Sequence, residues 1–281
     1  MQNWWQHLPE TISPVIFTIG SFQLRWYGLM YVVAFMMVYL LVMRRYQIDD
    51  IKLDKEAIQS WFGYAILGVL LGGRLGYVLF YNPEMIFADP LGILLPFRIR
   101  NGITFTGLAG MSYHGGVIAV FLLSLLFCRR KSIPFWELTR VVIPAIPLGY
   151  VFGRLGNFIN GELYGRITAV PWGMYFPTDP TGELRHPSQL YEAFFEGLVL
   201  FIVLWRIRNT KLAPFVLPIY LIGYGFVRFF IEFVRKPDAH LGTVLGPFSM
   251  GQVLCVVMMV TGVLLISLIA KTHESENTIT S

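Results

Sequence analysis

Seven runs of mostly apolar residues mark this chain, at roughly 22–43, 60–81, 113–128, 138–160, 189–206, 213–234 and 249–270. A helix needs about 20 such residues to cross the hydrocarbon of a bilayer. The third and fifth runs lie at the lower end of that length. Charged residues make up 14% of the 281, against about 25% in soluble domains. That shortage excludes an ordinary soluble globule and a disordered chain. Two cysteines, Cys128 and Cys255, exclude a disulfide scaffold and a cysteine-rich metal site. The expected fold is all-α: a polytopic membrane protein with seven transmembrane helices, forming one integral membrane domain over 1–281. Pro144 and Pro147 predict a kink in the fourth span. The opening MQNWWQHLPE has no basic n-region and does not read as a signal peptide. Its Trp4 and Trp5 read as interfacial anchors.

Lysines and arginines orient the spans. The loops after spans 1, 3 and 5 hold Arg44, Arg45, Lys52, Lys55, Arg129, Arg130, Lys131, Arg140, Arg206, Arg208 and Lys211, and the tail adds Lys271. The opposite side has only Arg25, Arg98, Arg100, Arg166, Arg185, Arg235 and Lys236. The twelve-residue side is therefore expected to be cytoplasmic, with the N-terminus outside and the C-terminus inside. The net charge of +5 then faces anionic lipid heads, and no nucleic-acid partner is implied. Outer segments 82–112 and 161–188 are long enough for a small extracytoplasmic cap. IFADPLGILLPF, within the first of them, is expected along the interface. The polar tail after Lys271 is expected to be loose, and the chain carries no internal repeat.

Three arginines fall inside spans: Arg74, Arg154 and Arg228. Each costs about 2.5–3.5 kcal/mol at mid-membrane on insertion scales. One such residue is readily explained as an ion pair that joins helices. Three are harder to explain so, and all three are expected toward the outer end of their spans. Guanidinium groups grip phosphate with paired hydrogen bonds, and a phospholipid headgroup is the anion at that depth. Other polar residues fall at the same level. Tyr27 begins span 1, and His114 begins span 3 beside Gly115 and Gly116. Asn157, Asn160 and Glu162 follow Arg154. Tyr224, Arg228, Glu232 and Arg235 make one stripe at helical spacing, and Gln189, Glu192 and Glu196 another. The carboxylates Glu196 and Glu232 are also read as simple neutralisers of the arginines. Gly68, Gly72 and Gly76, like Gly149 and Gly153, repeat every four residues, as close helix packing requires. No His/Cys/Asp/Glu group has metal-ligand spacing, so no metal is expected, and no serine-nucleophile motif is present.

These residues sit in six motifs. They are Arg25-Trp26-Tyr27-Gly28-Leu29-Met30-Tyr31, Gly72-Gly73-Arg74-Leu75-Gly76-Tyr77, Ser112-Tyr113-His114-Gly115-Gly116, the run Gly153-Arg154-Leu155-Gly156-Asn157-Phe158-Ile159-Asn160-Gly161-Glu162 continuing to Arg166, His186-Pro187-Ser188-Gln189-Leu190-Tyr191-Glu192, and Tyr224-Gly225-Phe226-Val227-Arg228. In this order they resemble the bacterial prolipoprotein diacylglyceryl transferases, over about residues 14 to 260. The resemblance implies a transferase of the bacterial cytoplasmic (inner) membrane, working on its outer face in lipoprotein biosynthesis. It would move diacylglyceryl from phosphatidylglycerol to the lipobox cysteine of a preprolipoprotein, making a thioether and releasing glycerol phosphate. The implied partners are phosphatidylglycerol, preprolipoprotein signal peptides and the lipid bilayer, without a cofactor. The stretch 98–109 is longer, and the segment between Gly165 and His186 shorter, than in some relatives.

Set against that chemistry, His114, Arg154 and Arg228 are the expected catalytic residues. Arg154 and Arg228 would hold the lipid phosphate, and His114 would act as base or orient the thiol. Tyr27, Arg74, Asn157, Asn160, Glu162 and Tyr224 are expected to bind substrate. The alternatives are another phospholipid-using transferase, or a non-enzymatic lipid or anion transporter.

Overall fold

The computed structural model describes residues 4–20, 22–93, 95, 97–99, 103–105, 110–236, 243–246 and 248–280; of 97–99, 103–105, 243–245 and 273–280 it describes the backbone. Most of 98–109, the stretch noted as longer than in relatives, lies outside the described residues, as does His240. The elements run α1 (Leu8–Thr11), β1 (Val15–Ile19), β2 (Phe22–Arg25), α2 (Trp26–Ile48), α3 (Lys55–Tyr81), α4 (Met85–Ala88), β3 (Phe97–Ile99), β4 (Ile103–Phe105), α5 (Tyr113–Lys131), α6 (Phe135–Ile159), α7 (188–207), α8 (Ala213–Ile231), β5 (Thr243–Leu245), β6 (Phe248–Ser249) and α9 (Met250–Thr280). Among the described residues, six helices are long and apolar enough to cross a membrane: α2, α3, α5, α6, α8 and the part of α9 from Met250 to Thr272.

The chain is mostly helical, with three corrections to the expected picture. Strands pair as β1-β2, β3-β4 and β5-β6, so the fold is not purely α. The first span begins at Trp26, because Phe22–Arg25 is spent on β2. The polar tail continues α9 as helical backbone to Thr280. The expected fifth span is helical over 188–207 but is not one of the six. It is built from an α-helical turn (Ser188–Glu192), a π-helical stretch (Ala193–Val199) and a second α-helix (Leu200–Ile207). The predicted break in α6 is present: a 3₁₀ turn at Ile143–Ala145, where Pro144 and Pro147 withhold two backbone donors.

The described chain falls into two compact units. One comprises Phe17–Gln23 and Asp50–Leu138. In it α3 crosses α5 so closely that a Cβ on Gly72 would lie 2.5 Å from the Gly115 carbonyl oxygen, and one on Gly115 2.3 Å from that of Gly72. Only glycine fits on both sides, which is the purpose of the four-residue glycine repeat. Trp61 Nε1 donates to Ser124 Oγ at 2.9 Å across the same pair. Ser112 caps α5: its Oγ accepts from Gly115 N at 3.3 Å, and its own N–H donates to Gly73 O at 2.8 Å.

The other unit comprises Met1–Ile16, Leu24–Asp49 and Thr139–Ser281. In it α2 packs along α6, α6 on α7, and α8 on α9. Gly149 meets Val38 and Ala34 of α2 as its spacing predicts, while Gly153 faces open space. The end of α2 is tied by Asp49, which accepts from Arg45 Nε at 2.7 Å, from Arg208 Nε at 3.0 Å and from Asn209. Arg45 Nη1 also donates to the carbonyls of Arg140 and Val141, both at 2.7 Å.

Segment 161–188 folds around Phe158, Tyr164, Met174 and Phe176, with Leu8, Ile12 and Leu190 packed against them. Arg185 holds it together. Its backbone exchanges hydrogen bonds with Met174 at 2.8 and 2.9 Å. Its guanidinium grips both oxygens of Asp179, at 2.6 and 3.0 Å. Burial pushes the Asp179 carboxyl up, but Arg185 and Thr181 together hold it well below the usual carboxylate range. Because the folded pKa is depressed, the stabilisation is full above the unfolded value of about 3.9. It is lost as pH falls through the lower folded value. The protection of the 161–186 amides, relative to their intrinsic exchange rates at each pH, is expected to fall below about pH 4, and Asp179→Asn is expected to remove that fall. Protection that stays level through that range in the parent protein would refute the role of the pair.

Candidate active site

On α6 the residues Tyr150, Arg154 and Asn157 are spaced four and three apart and so share one face. The helix ends at Ile159, and Gly161, at φ +66°, turns the chain back on itself. That left-handed conformation costs other residues a Cβ clash. The turn lets Glu162 N donate to Asn157 O at 3.0 Å. Asn157 then donates through Nδ2 to Glu162 Oε1 at 2.7 Å and accepts from Arg154 Nη1 at 3.2 Å. Gln189 of α7 closes the far side, donating to Glu162 O at 2.7 Å.

The two arginines meet on one carboxylate. Glu192 of α7 lies 2.9 Å from Arg154 Nε through Oε2, and 2.9 Å from Arg228 Nη1 of α8 through Oε1. Arg228 also pairs with Glu196 at 3.8 Å and with Glu232 at 3.3 Å. The Tyr150 hydroxyl donates to Glu196 and, at 3.4 Å, to Glu192. The Arg154 guanidinium lies over the Tyr150 ring, 4.6 Å from its centre. Tyr224 meets that ring edge-on at 5.9 Å. Buried charges persist only when paired and hydrogen-bonded; every charge in the cluster is ion-paired, but its hydrogen bonding is incomplete. Among the described residues, Arg228 Nη1 has no aligned hydrogen bond despite its close carboxylates, and neither have Glu192 Oε1, Glu196 Oε1 and Glu232 Oε2. Glu192 and Glu196 are the deepest part of the cluster, while Glu232 is as exposed as Arg228. The Glu192 side chain is 1% exposed, against 14% for Arg154 and 11% for Arg228.

The other expected residues divide between the units. The Tyr27 hydroxyl sits 3.1 Å from that of Tyr31, near Asn157 and Glu162. Asn160 Oδ1 and Gln189 Oε1 are buried acceptors with no hydrogen-bond partner among the described residues. Arg74 and His114 belong to the unit of α3 and α5. Arg74 donates to the carbonyls of Gly92, Ile93 and Gly110, at 2.7, 2.9 and 3.1 Å, and so ties together the two ends of the 92–110 segment. His114 is exposed in the first turn of α5, with its ring edge-on to Tyr113 at 5.7 Å. Sequence reasoning passed over Tyr150, although its place one turn before Arg154 was a usable signal. It also passed over the Arg185–Asp179 pair, which no spacing announced. Among the described residues, no group of three or more His, Cys, Asp or Glu could hold a metal ion.

Helices of membrane-crossing length, with two arginines and their carboxylates buried among them, define a polytopic membrane protein. The family described as prolipoprotein diacylglyceryl transferase matches residues 14–268, and the chain belongs to that family. A phosphatidylglycerol–prolipoprotein diacylglyceryl transferase of Chlorobaculum tepidum is 55% identical over 263 residues, covering 93% of this chain and 91% of that relative. Relatives of the same name from Wolinella succinogenes and Geobacter sulfurreducens are each 44% identical. They cover 97% and 92% of this chain, and 98% and 96% of their own lengths. The family reached from the six motifs is the family matched.

Proposed function

We propose that this protein transfers the diacylglyceryl group of phosphatidylglycerol to the lipobox cysteine thiol of a preprolipoprotein. The sulfur forms a bond to the glycerol carbon as the bond from that carbon to the phosphate oxygen breaks. Glycerol phosphate leaves with the electron pair, and the thiol gives up its proton. One observation carries this reading: Arg154 and Arg228 converge on Glu192, and Arg228 Nη1 is left without an aligned acceptor. A phosphodiester supplies the acceptor that this donor lacks and an anion for both guanidinium groups. The charge growing on the departing phosphate is then met by fixed cations, often the largest single term in catalysis. The buried acceptors Asn160 Oδ1 and Gln189 Oε1 suit hydroxyls of the glycerol headgroup. Tyr27, Asn157 and Glu162 order the same surface, and Tyr224 backs it through Tyr150. Arg74 supports the reaction by holding the 92–110 segment. A free thiol has a pKa near 8.5 and is mostly protonated at neutral pH, so His114 serves as the base or orients the thiol.

In this reading the whole chain is one membrane domain in the bacterial cytoplasmic membrane. Segment 188–207 makes a seventh span, the N-terminus lies outside and the C-terminus inside. The site opens toward the extracytoplasmic side, where 82–112 and 161–188 are the outer segments. Purified protein incubated with phosphatidylglycerol and a lipobox peptide is expected to add the diacylglyceryl mass to the cysteine and to release glycerol phosphate. An acylated peptide without a thioether, or no product at all, would refute the proposal.

A further inference from the structure

Two buried arginines near each other repel, and each would turn to a separate partner unless something between them set their positions. Glu192 is fully buried and ion-paired to both, one oxygen to each. Neither contact to Arg228 Nη1 is an aligned hydrogen bond, so the pair is held by charge while the N–H stays uncommitted. Glu192 is itself held. It has Glu196 as a close like charge on the next turn, and the Tyr150 hydroxyl donates to both carboxylates. Tyr150 is fastened in turn by the Arg154 guanidinium on its face and the Tyr224 ring at its edge.

From this arrangement we infer that Glu192, steadied by Tyr150, is a positioning residue for the transfer reaction: it spaces and orients Arg154 and Arg228 so that both guanidinium groups face one phosphate. The inference rests on the functional reading above and deepens it. From the sequence, Glu196 and Glu232 are read as neutralisers; for Glu192 a neutralising and a spacing role predict different kinetics. A neutraliser is replaced by any carboxylate that reaches the pair. A spacer is not, because Glu192→Asp keeps the charge but withdraws it by one methylene from two fixed partners.

The test is steady-state transfer from phosphatidylglycerol to a lipobox peptide by the full-length detergent-solubilised protein and its variants, with the melting temperature of each recorded. Glu192→Gln preserves shape and removes the charge that competes with phosphate. It is expected to lower kcat by about a hundredfold, the loss seen when an oriented donor is misplaced, with KM for phosphatidylglycerol no higher than the parent's. Glu192→Asp is expected to fail to restore kcat. Tyr150→Phe removes one hydroxyl from a packed ring and keeps the test open should the glutamate variants fold poorly. It is expected to lower kcat about tenfold, as loss of a hydrogen bond to a charged group does. Parent-level kcat in Glu192→Gln or Tyr150→Phe, recovery in Glu192→Asp, or a loss confined to KM would overturn the inference while leaving the transferase reading intact. A parent protein that makes no thioether product would overturn that reading and this inference together.

Discussion

Arg154→Ala is expected to abolish diacylglyceryl transfer in a protein that still folds. The arginine supplies a full charge and several donors where phosphate charge develops, so its removal should cost at least about a thousandfold in kcat. Breaking a buried ion pair costs about 3–5 kcal/mol when it strands a charge. Glu192 is not stranded here, because Arg228 remains 2.9 Å away and the Tyr150 hydroxyl 3.4 Å away. Mass spectrometry of the peptide product, with a melting curve of the same sample, measures both halves of the expectation. Full transfer by the variant would remove Arg154 from the phosphate site. Arg74→Ala is the instructive contrast. Arg74 spends its donors on three backbone carbonyls, so its loss lowers the yield of folded protein as well as activity.

The second large effect concerns stability alone. The Asp49 side chain is 2% exposed and accepts from Arg45 and Arg208, and Arg45 is equally buried. Asp49→Ala leaves the Arg45 charge buried without its carboxylate, a loss of about 3–5 kcal/mol. A clear fall in the melting temperature is expected, with transfer per folded molecule unchanged. An unchanged melting temperature would show that the cluster does not hold the end of α2.

Several features were legible from the chain alone for identifiable reasons. Apolar runs reveal helices because the bilayer imposes one length and one chemistry, and all seven runs begin within five residues of an observed helix, six of membrane-crossing length and the 188–207 helix. Pro144 and Pro147 announce the break in α6 because proline withholds a donor wherever it stands. Segment 188–207 was harder to read. Its polar residues dilute the apolar run because they are turned inward, to Glu162, Arg154 and Arg228. Phe22–Arg25 was read into the first span because four mostly apolar residues next to a helix look the same whether helical or extended.

The candidate site divides along the same line. Sequence determined the membrane character and the family, and it singled out Arg154, Arg228, Asn157 and Glu162 as candidates, since a charge is conspicuous where lipid forbids it and local spacing fixes which residues share a helix face. Tertiary structure alone decided which carboxylate the two arginines share, that Tyr150 stands behind it, and that Arg74 holds backbone carbonyls. Those choices depend on α6, α7 and α8 meeting at particular depths and rotations. Spacing within a helix carries no information about what lies across from it.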